Sequence, residues 1–247
     1  MSSPKQNIKE LKLGFYMTPE HECNYLPEKN AKTVFADPDF PMNENIYTTL
    51  ARHGFRRSGK HIYKPQCHQC NACIPIRLPV DDFNMNRNQK RNWSKNCDLK
   101  LIKNSATLND EYFSLYQRYL ETRHSEGGME NPDPDSFVNF LMTDWATTVF
   151  YEFRNNKDKL LAVAVVDELM DGLSAVYTFF DPDESHRSLG RYAVLTEIEA
   201  ARNQGLQWLY LGYWIADCKK MQYKNEYQPL EYFYQEKWHD KPPQSAG

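Results

Sequence analysis

The chain has 247 residues, of which 40% are hydrophobic and 26% charged, and its formal net charge is −3. This composition is ordinary for a soluble globular protein and allows one large domain or two small ones. The first ten residues are polar and no apolar run reaches the roughly 18 residues that span a bilayer, so we expect no signal peptide, no membrane span and a cytoplasmic protein. In that compartment the six cysteines are not expected to form disulfides.

Charge is unevenly distributed along the chain. Residues 52–104 contain twelve Lys and Arg against three Asp, a balance of +9, so the remaining residues sum to −12. A basic block inside an acidic protein favours a polyanionic partner, although a solvated charged face would give the same count. Up to about residue 100 the sequence is irregular and rich in Pro and Cys, and a regular pattern starts at Thr107. We therefore predict a basic, cysteine-containing domain over residues 1–104 and a second domain over residues 105–247.

The first domain contains three cysteines at three-residue intervals, Cys67, Cys70 and Cys73. This spacing lets one loop surround a single ion, and thiolates suit zinc or an iron–sulfur cluster. A fourth ligand is not adjacent, and Cys23 is the best remote candidate. The weaker candidates are nearby histidines: His21, His61 and His68. The alternative is that these cysteines are free thiols without a metal.

The second domain has clear periodicity. Residues 107–110 read as a capping box before a helix that runs to His124, and residues 125–135 read as a loop because they contain two Gly and two Pro. A second helical stretch follows at 136–142. The spacing then predicts strands at 148–153, 160–168 and 174–180, a helix at 188–203 and a strand at 206–214.

Three antiparallel strands, a helix and a further strand are the order of the N-acetyltransferase-like (GNAT) fold, so we predict an α+β protein with that fold in its second domain. The predicted helix begins in a basic turn at residues 186–191, which contains Arg187, Gly190 and Arg191. Free N–H groups at a helix start bind anions, and the two arginines add positive charge. The alternative is that Gly190 only permits close packing and the arginines are solvated.

Several segments resemble those of one known family. In the first domain they are CNYLP at 23–27, GFRRSGK at 54–60, IYKP at 62–65 and the cysteine cluster that ends at Ile76 and Arg77. In the second they are LGYWI at 211–215, KMQYK at 220–224 and YQP at 227–229. These segments resemble the aminoacyl-tRNA–protein transferases, in the family's order and from about residue 10 to 238. The cysteine arrangement and short loops are more similar to the bacterial branch than to the eukaryotic arginyltransferases, whose different cysteine pattern binds zinc or an iron–sulfur cluster.

The resemblance implies an enzyme that transfers leucine from leucyl-tRNA to the α-amino group of proteins that begin with Asp or Glu. The product, an N-degron, would pass to the proteolytic machinery. The aminoacyl ester is already activated, so the chemistry needs no cofactor and no covalent intermediate, and catalysis rests on proximity and on oxyanion stabilisation. The resemblance leaves arginine open as the donor amino acid.

Each substrate implies its own set of candidate residues. An acidic amino terminus needs a cationic clamp, because guanidinium groups bind carboxylates bidentately, and we predict Arg56, Arg57, Tyr63, Lys64 and Arg77. For the tRNA we predict basic residues before and within the second domain: Arg87, Lys90, Arg91, Lys95, Arg187, Arg191, Lys220 and Lys224. For the catalytic proton acceptor we predict residues near the strand ends, namely Tyr177, Asp181 and Tyr213, with Asp217 as an alternative.

Two other functions compete with this one. An acetyl-CoA-dependent acetyltransferase would use residues 186–191 as its pyrophosphate loop, but this explains only the second domain. A non-enzymatic adaptor that binds acidic amino termini or nucleic acid would not need an acyltransferase core. The three hypotheses differ in the donor that they use, so a transfer assay separates them.

Overall fold

A computed structural model describes residues 12–123 and 132–244. In chain order its strands are β1 (Phe15–Met17), β2 (His21–Glu22), β3 (Asn30–Ala31), β4 (Thr33–Ala36), β5 (Arg56–Ser58), β6 (His61–Pro65), β7 (Ile74–Pro79), β8 (Lys100–Ser105), β9 (Thr147–Arg154), β10 (Leu160–Glu168), β11 (Gly172–Phe180), β12 (Trp208–Trp214), β13 (Glu231–Tyr234) and β14 (Lys237–His239). Its α-helices are α1 (Glu44–Arg52), α2 (Arg87–Lys95), α3 (Asp110–Arg123), α4 (Pro134–Leu141), α5 (Leu189–Asn203) and α6 (Lys219–Gln222).

The larger sheet has eight strands in the order β14-β13-β7-β12-β11-β10-β9-β8. Strands β11 and β12 are parallel and every other neighbouring pair in it is antiparallel. The predicted meander is therefore confirmed: β9, β10 and β11 pair in sequence, and β10 has the predicted bounds. Nearly every residue of β10 is buried, which is expected for a central strand covered on both faces.

Helices cover both faces of this sheet. Helix α5 packs with α2 on one face, where Leu195 and Ile198 join a core that includes Leu209. Helices α3 and α4 cover β10 and β11 on the other face, around Phe137 and Phe179. The meander and α5 thus form a layered α/β core.

The amino-terminal part forms a four-stranded sheet, β1-β4-β6-β5, and a separate β2–β3 hairpin. Helix α1 precedes β5 and is capped by Asn43, whose Oδ1 accepts a hydrogen bond from the Ile46 N–H. The Tyr47 ring of α1 is almost completely buried, and its hydroxyl donates to Asp167 on β10 at 2.9 Å. The amino-terminal part therefore packs directly on the larger sheet.

Three predictions of local structure differ from the structure. The helix predicted from a capping box at 107–110 begins at Asp110 instead, because Asn109 caps it by accepting a hydrogen bond from the Tyr112 N–H at 2.8 Å. The predicted end at His124 and most of the predicted 125–135 loop lie outside the described residues, and α4 already begins at Pro134 after the N-cap Asp133. The predicted boundary between residues 104 and 105 falls inside β8, and the larger sheet takes both β7 and β8 from before it.

Within the described residues, no helix combines the length and the apolar character needed to cross a membrane.

Candidate functional site

The larger sheet opens between β11 and β12. These strands pair only through residues 172–174 and 208–210, although both continue for several residues beyond that point. Each strand also changes register against its other neighbour there, β11 against Val165 and Val166 and β12 between Tyr210 and Gly212. Bulges re-aim strands and end their pairing, so the edges that face each other keep backbone groups without a sheet partner. We call this opening the β11–β12 gap.

Arg56 from β5 occupies the gap. One guanidinium nitrogen, Nη1, donates to the Ser174 hydroxyl at 2.9 Å and to the Tyr210 carbonyl at 3.3 Å, and Nη2 donates to the carbonyl of Ala175. Gly212 permits this approach: its φ is +78°, and an added Cβ would lie 3.1 Å from Arg56 Nε. A cation from the amino-terminal sheet thus bonds to both diverging strands.

Lys224 provides a second cation beside the gap. Its Nζ donates to the Tyr213 carbonyl at 3.0 Å, on the part of β12 that has left β11. Burial, together with the charge of Arg56, lowers the pKa of Lys224 to about 7. We predicted Lys224 as a tRNA contact from sequence, whereas the structure holds its amine against a backbone carbonyl.

Glu197 on α5 is the third charged residue of this group. It is 1% exposed, and neither carboxyl oxygen has a hydrogen-bond partner among the described residues. Burial raises its pKa to about 8, partly opposed by the positive charge of Arg56. The sequence reasoning missed Glu197, although a signal existed: it follows Ala193 by four residues and precedes Ala201 by four, so an acid interrupts the apolar face of the helix.

Arg57 contacts a different set of groups. Its Nε and Nη2 donate to the two oxygens of Asp167 at 2.7 and 2.6 Å, and both side chains are completely buried. Nη2 also donates to the Leu141 carbonyl and to the Thr148 hydroxyl. Its charge is already neutralised inside the protein, which argues against the predicted role of Arg57 in an acceptor clamp.

The other predicted clamp residues lie near Arg56 but differ in availability. Tyr63 is its register partner on β6, and Lys64 lines an open cavity of about 480 Å³ with His53 and Phe55. Lys64 keeps a long ion pair of 3.5 Å with the exposed Glu236. These contacts leave the Lys64 amine accessible from the cavity.

Arg77 is less available. Its guanidinium lies between the Trp208 and Trp238 rings, 3.6 and 4.3 Å from their centroids, and Nη2 is 2.6 Å from a Glu231 oxygen. Arg77 therefore joins β7 to β13 and to two indole rings.

The predicted proton acceptors are poorly suited to that role. Burial raises the pKa of Tyr213 far above 10, and its hydroxyl donates to the Gly54 and Tyr63 carbonyls. Tyr177 packs among aromatic rings that include Tyr116, and its pKa is also raised by burial.

Asp181 is completely buried and contacts Arg118 and Lys159. Burial alone would raise its pKa, but hydrogen bonds from these two cations outweigh burial and lower it. A carboxylate held in this way is a weak base. The alternative, Asp217, is exposed in the turn after β12.

A basic concavity lies along α2. It measures about 710 Å³ and is lined by Arg87, Lys90, Arg91, Ser94 and Lys95. The first three are exposed and form no ion pair with another described residue, whereas Lys95 donates to the His186 carbonyl at 2.9 Å. These cations are free to bind an external anion.

Of the other residues predicted to bind phosphate, the two arginines already have acidic partners. Arg187 donates to both oxygens of Asp98 at 2.9 and 3.0 Å and to Glu184 at 3.0 Å. Arg191 donates to both oxygens of Glu226 at 2.6 and 2.8 Å. Lys220 is exposed at the start of α6.

The predicted cysteine metal site is not formed. Cys23, Cys67, Cys70 and Cys73 are half-buried free thiols, and Cys67 Sγ donates to the Lys32 carbonyl at 3.8 Å. In the parts of the chain that the structure describes, no group of three or more Cys, His, Asp or Glu side chains is arranged to hold a metal ion. The four thiols are nevertheless neighbours, because burial and the charges of Cys67, Cys23 and Cys70 raise the pKa of Cys73, and no step of the reaction is assigned to them.

Comparison with known proteins identifies the class. A family model described as arginine-tRNA-protein transferase, N terminus, matches residues 21–91, and its C-terminus counterpart matches residues 111–234. The chain belongs to this family, which confirms the resemblance seen in the sequence.

Individual relatives show which members of the family the chain resembles. The chain is 52% identical to the aspartate/glutamate leucyltransferase of Pseudomonas fluorescens over 227 residues. The aligned residues cover 92% of this chain and 96% of that protein. The chain is 49% identical over 232 residues to the enzyme of the same name from Saccharophagus degradans, covering 94% and 98%. Among solved structures, L-PGS from Bacillus licheniformis overlaps 58% of this chain and 47% of that chain, at 9% identity and a TM-score of 0.40.

Proposed function

We propose that this protein transfers leucine from leucyl-tRNA to the α-amino group of proteins that begin with Asp or Glu. The observation that carries the proposal is the match to aspartate/glutamate leucyltransferases at about half identity over 92% of the chain. We place the reaction in the cytoplasm, with its product passing to proteolysis, and we assign the meander, α5 and β12 to the GNAT type of fold.

The occupied gap favours an aminoacyl donor over acetyl-CoA. A donor that pairs with the diverging strands needs their free backbone carbonyls. Arg56 and Lys224 already bond to the carbonyls of Ala175, Tyr210 and Tyr213. We therefore infer that the gap positions an ester carbonyl near two cationic donors, which would stabilise the oxyanion of an acyl transfer.

We assign the acidic side chain of the acceptor to Lys64. Of the predicted clamp residues, Arg57 and Arg77 are neutralised by Asp167 and Glu231, whereas Lys64 lines an open cavity. The Lys64–Glu236 pair is long and exposed on the Glu236 side, so an incoming carboxylate can compete with Glu236 at little cost.

We assign the tRNA backbone to the α2 concavity, with Lys220 as a further contact. Exposed cations without internal partners bind phosphates by releasing counterions, and Arg87, Lys90 and Arg91 meet this description. Acidic residues already neutralise the other two arginines: Arg187 joins the turn before α5 to Asp98, and Arg191 joins α5 to Glu226.

The reaction itself tests the proposal. The full-length protein is incubated with leucyl-tRNA, arginyl-tRNA or acetyl-CoA and with peptides that begin with Asp, Glu, Lys or Ala. We expect labelled leucine only on the two acidic peptides. Transfer of arginine would change the donor assignment, and transfer from acetyl-CoA alone or from no donor would refute the proposal.

Lys64→Met should lower the preference for acidic peptides. We expect kcat/KM for Asp- and Glu-start peptides to fall about tenfold, because one charge-assisted contact contributes roughly 1.4 kcal/mol, while leucyl-tRNA binding stays constant. Lys60→Met is the matched control, since Lys60 is exposed in the neighbouring turn. An equal loss on Asp-, Glu- and Ala-start peptides would remove Lys64 from the clamp. Comparing kcat/KM for Asp-, Glu- and Ala-start peptides in Arg56→Ala tests whether Arg56 recognises the acidic residue or supports the reaction with every peptide.

Replacing Arg87, Lys90 and Arg91 together with Ala should weaken tRNA binding and flatten its dependence on salt. The slope of log K against log salt should fall in magnitude by about 2 to 3, since each phosphate contact contributes roughly 0.7 to 0.9. Lys157→Ala, in the exposed β9–β10 turn, should leave the slope unchanged. Filter binding at several salt concentrations measures both, and an unchanged slope in the triple variant would exclude α2 from the interface.

A further inference from the structure

A buried carboxyl group in a folded protein normally has hydrogen-bond donors, because an unsatisfied buried polar group costs about 1 to 3 kcal/mol. Glu197 departs from this rule, with 1% exposure and two oxygens that have no partner among the described residues. The same helix has a carboxyl group with a partner, Glu199, which accepts from Arg202 at 2.6 Å. The unsatisfied acid is therefore specific to position 197.

The groups around Glu197 belong to the site already described. Arg56 is the cation that acts on it, and Arg56 enters from β5 through the β11–β12 gap. The other titratable groups that face it are phenols: Tyr151 on β9, and Tyr223 and Tyr227 after α6. None of these phenols donates a hydrogen bond to the carboxyl group in the described structure. Helix α5, which carries Glu197, packs on β11 and β12, the two strands that border the gap, and Glu197 keeps two free acceptor oxygens there.

We propose that Glu197 is the catalytic proton acceptor, which takes the proton lost by the attacking α-amino group of the acceptor protein. This inference rests on the proposed leucyl transfer and adds the group that the sequence did not supply. It replaces Tyr177, Asp181 and Tyr213 in that role.

The neutral amine attacks the ester carbonyl of the aminoacyl-tRNA, the nitrogen–carbon bond forms, and the Glu197 carboxylate takes a proton from that nitrogen. The carbon–oxygen bond to the terminal ribose then breaks, and its electron pair leaves with the ribose oxygen. Glu197 returns the proton to that oxygen, so the products are an amide and a free tRNA hydroxyl, and the carboxylate is regenerated. No other reactant is needed.

The electrostatics suit this step. Burial raises the pKa of Glu197 to about 8, close to the 7.7 to 8.0 of an ordinary α-amino group. A proton can therefore move between the two groups with a small change in free energy, which favours general base catalysis. The positive charge of Arg56 stabilises the carboxylate form that must be present before attack.

The test uses single-turnover transfer of labelled leucine to an Asp-start peptide by the full-length protein at a pH just above 8, where most of Glu197 is the carboxylate. We expect Glu197→Gln to lower the rate at least 100-fold, within the range that general bases contribute, and to leave the half-saturating leucyl-tRNA concentration within twofold. Glu199→Gln is the control and should stay within twofold of wild type. If Glu197→Gln stays within threefold of wild type, the inference is wrong.

A second variant separates catalysis from folding. Glu197→Ala leaves a space in which formate can act as the base, so added formate should raise its transfer rate at least tenfold. Formate should not restore Glu197→Gln, in which the amide fills that space. A slow Glu197→Ala that formate does not accelerate would make Glu197 a structural residue and overturn the inference. The proposed function fails separately, when the wild-type protein moves no leucine to acidic peptides.

Discussion

Two adjacent arginines on β5, the half-buried Arg56 and the buried Arg57, are held in opposite ways. Successive residues of a strand point to opposite sides. Arg57 meets Asp167 in a bidentate ion pair that is completely buried. Arg56 meets a hydroxyl and backbone carbonyls in the β11–β12 gap, and Glu197 on α5 has no hydrogen bond to it. One charge is balanced within the fold and the other is not.

The difference distinguishes charged residues that stabilise this fold from charged residues that serve its function. A satisfied ion pair such as Arg57–Asp167 joins the amino-terminal sheet to β10 and has no capacity left for a substrate. The group formed by Arg56, Lys224 and Glu197 contains perturbed pKa values and unused acceptors, which are typical of functional sites. Stability should therefore depend on Arg57, and transfer should depend on the three residues around the gap.

The largest expected effect is on stability. Arg57→Ala leaves the Asp167 carboxylate buried without its cation, which should lower the free energy of unfolding by about 3 to 5 kcal/mol. Arg52→Ala is the matched control, because Arg52 joins α1 to Asp171 through a more exposed pair that contributes about 0 to 1 kcal/mol. Urea unfolding measures both variants. Similar losses in the two would mean that the buried pair has no special structural role.

A second effect on stability should build up gradually with pH. The folded pKa of Glu197 is raised to about 8 from 4.5, so the folded protein binds one more proton than the unfolded chain between these values. Wild-type stability should therefore fall as pH rises from about 4.5 to 8, by at most 1.4 kcal/mol per unit. Glu197→Gln removes this decline, so its advantage in urea unfolding should grow up to about pH 8 and then level off. Glu199→Gln should show no such trend, and a flat difference for Glu197→Gln would contradict the raised pKa.

The smallest effect concerns two glycines with positive φ. Comparing them distinguishes the steric clash of an added Cβ from the strain of a left-handed backbone. Gly212→Ala places a Cβ 3.1 Å from Arg56 Nε, whereas Gly205→Ala meets nothing within 4 Å. Both should lose about 1 kcal/mol from the left-handed backbone. Only Gly212→Ala should also displace Arg56 and slow leucine transfer, by about tenfold if one catalytic contact is lost. Equal transfer rates in the two variants would mean that the position of Arg56 in the gap does not matter.

The sequence predicted the regular part of the fold well. Residues 160–168 alternate little and are almost all apolar, so they identify a strand buried on both faces, and the structure has it at the predicted bounds. The irregular first hundred residues gave less information. Strand β5 has only three residues, and β7 contains Pro and follows Cys73 directly. The partner of β7 in the larger sheet, β12, lies more than 100 residues away in the sequence. Local patterns do not contain such long-range pairing.

The site was predicted in outline and missed in detail. The GFRRSG segment was correctly singled out, but sequence alone could not tell that Arg56 faces the gap and Arg57 faces Asp167. Lys224 was identified as a basic residue, whereas its lowered pKa comes from burial that only the fold creates. Glu197 was overlooked because a helix usually exposes its acids, and only the packing of α5 on the sheet removes this one from water.

The position of β7 has a consequence for synthesis on the ribosome. This strand pairs with β12 on one side and with β13 on the other, so its partners are made more than 120 residues later. Synthesis proceeds at about 5 to 20 residues per second, which leaves the strand without partners for several seconds. During that time β7 is an apolar edge, and non-local pairing of this kind folds slowly. Emergence of the last fifty residues, rather than completion of the amino-terminal half, is the event that closes the sheet.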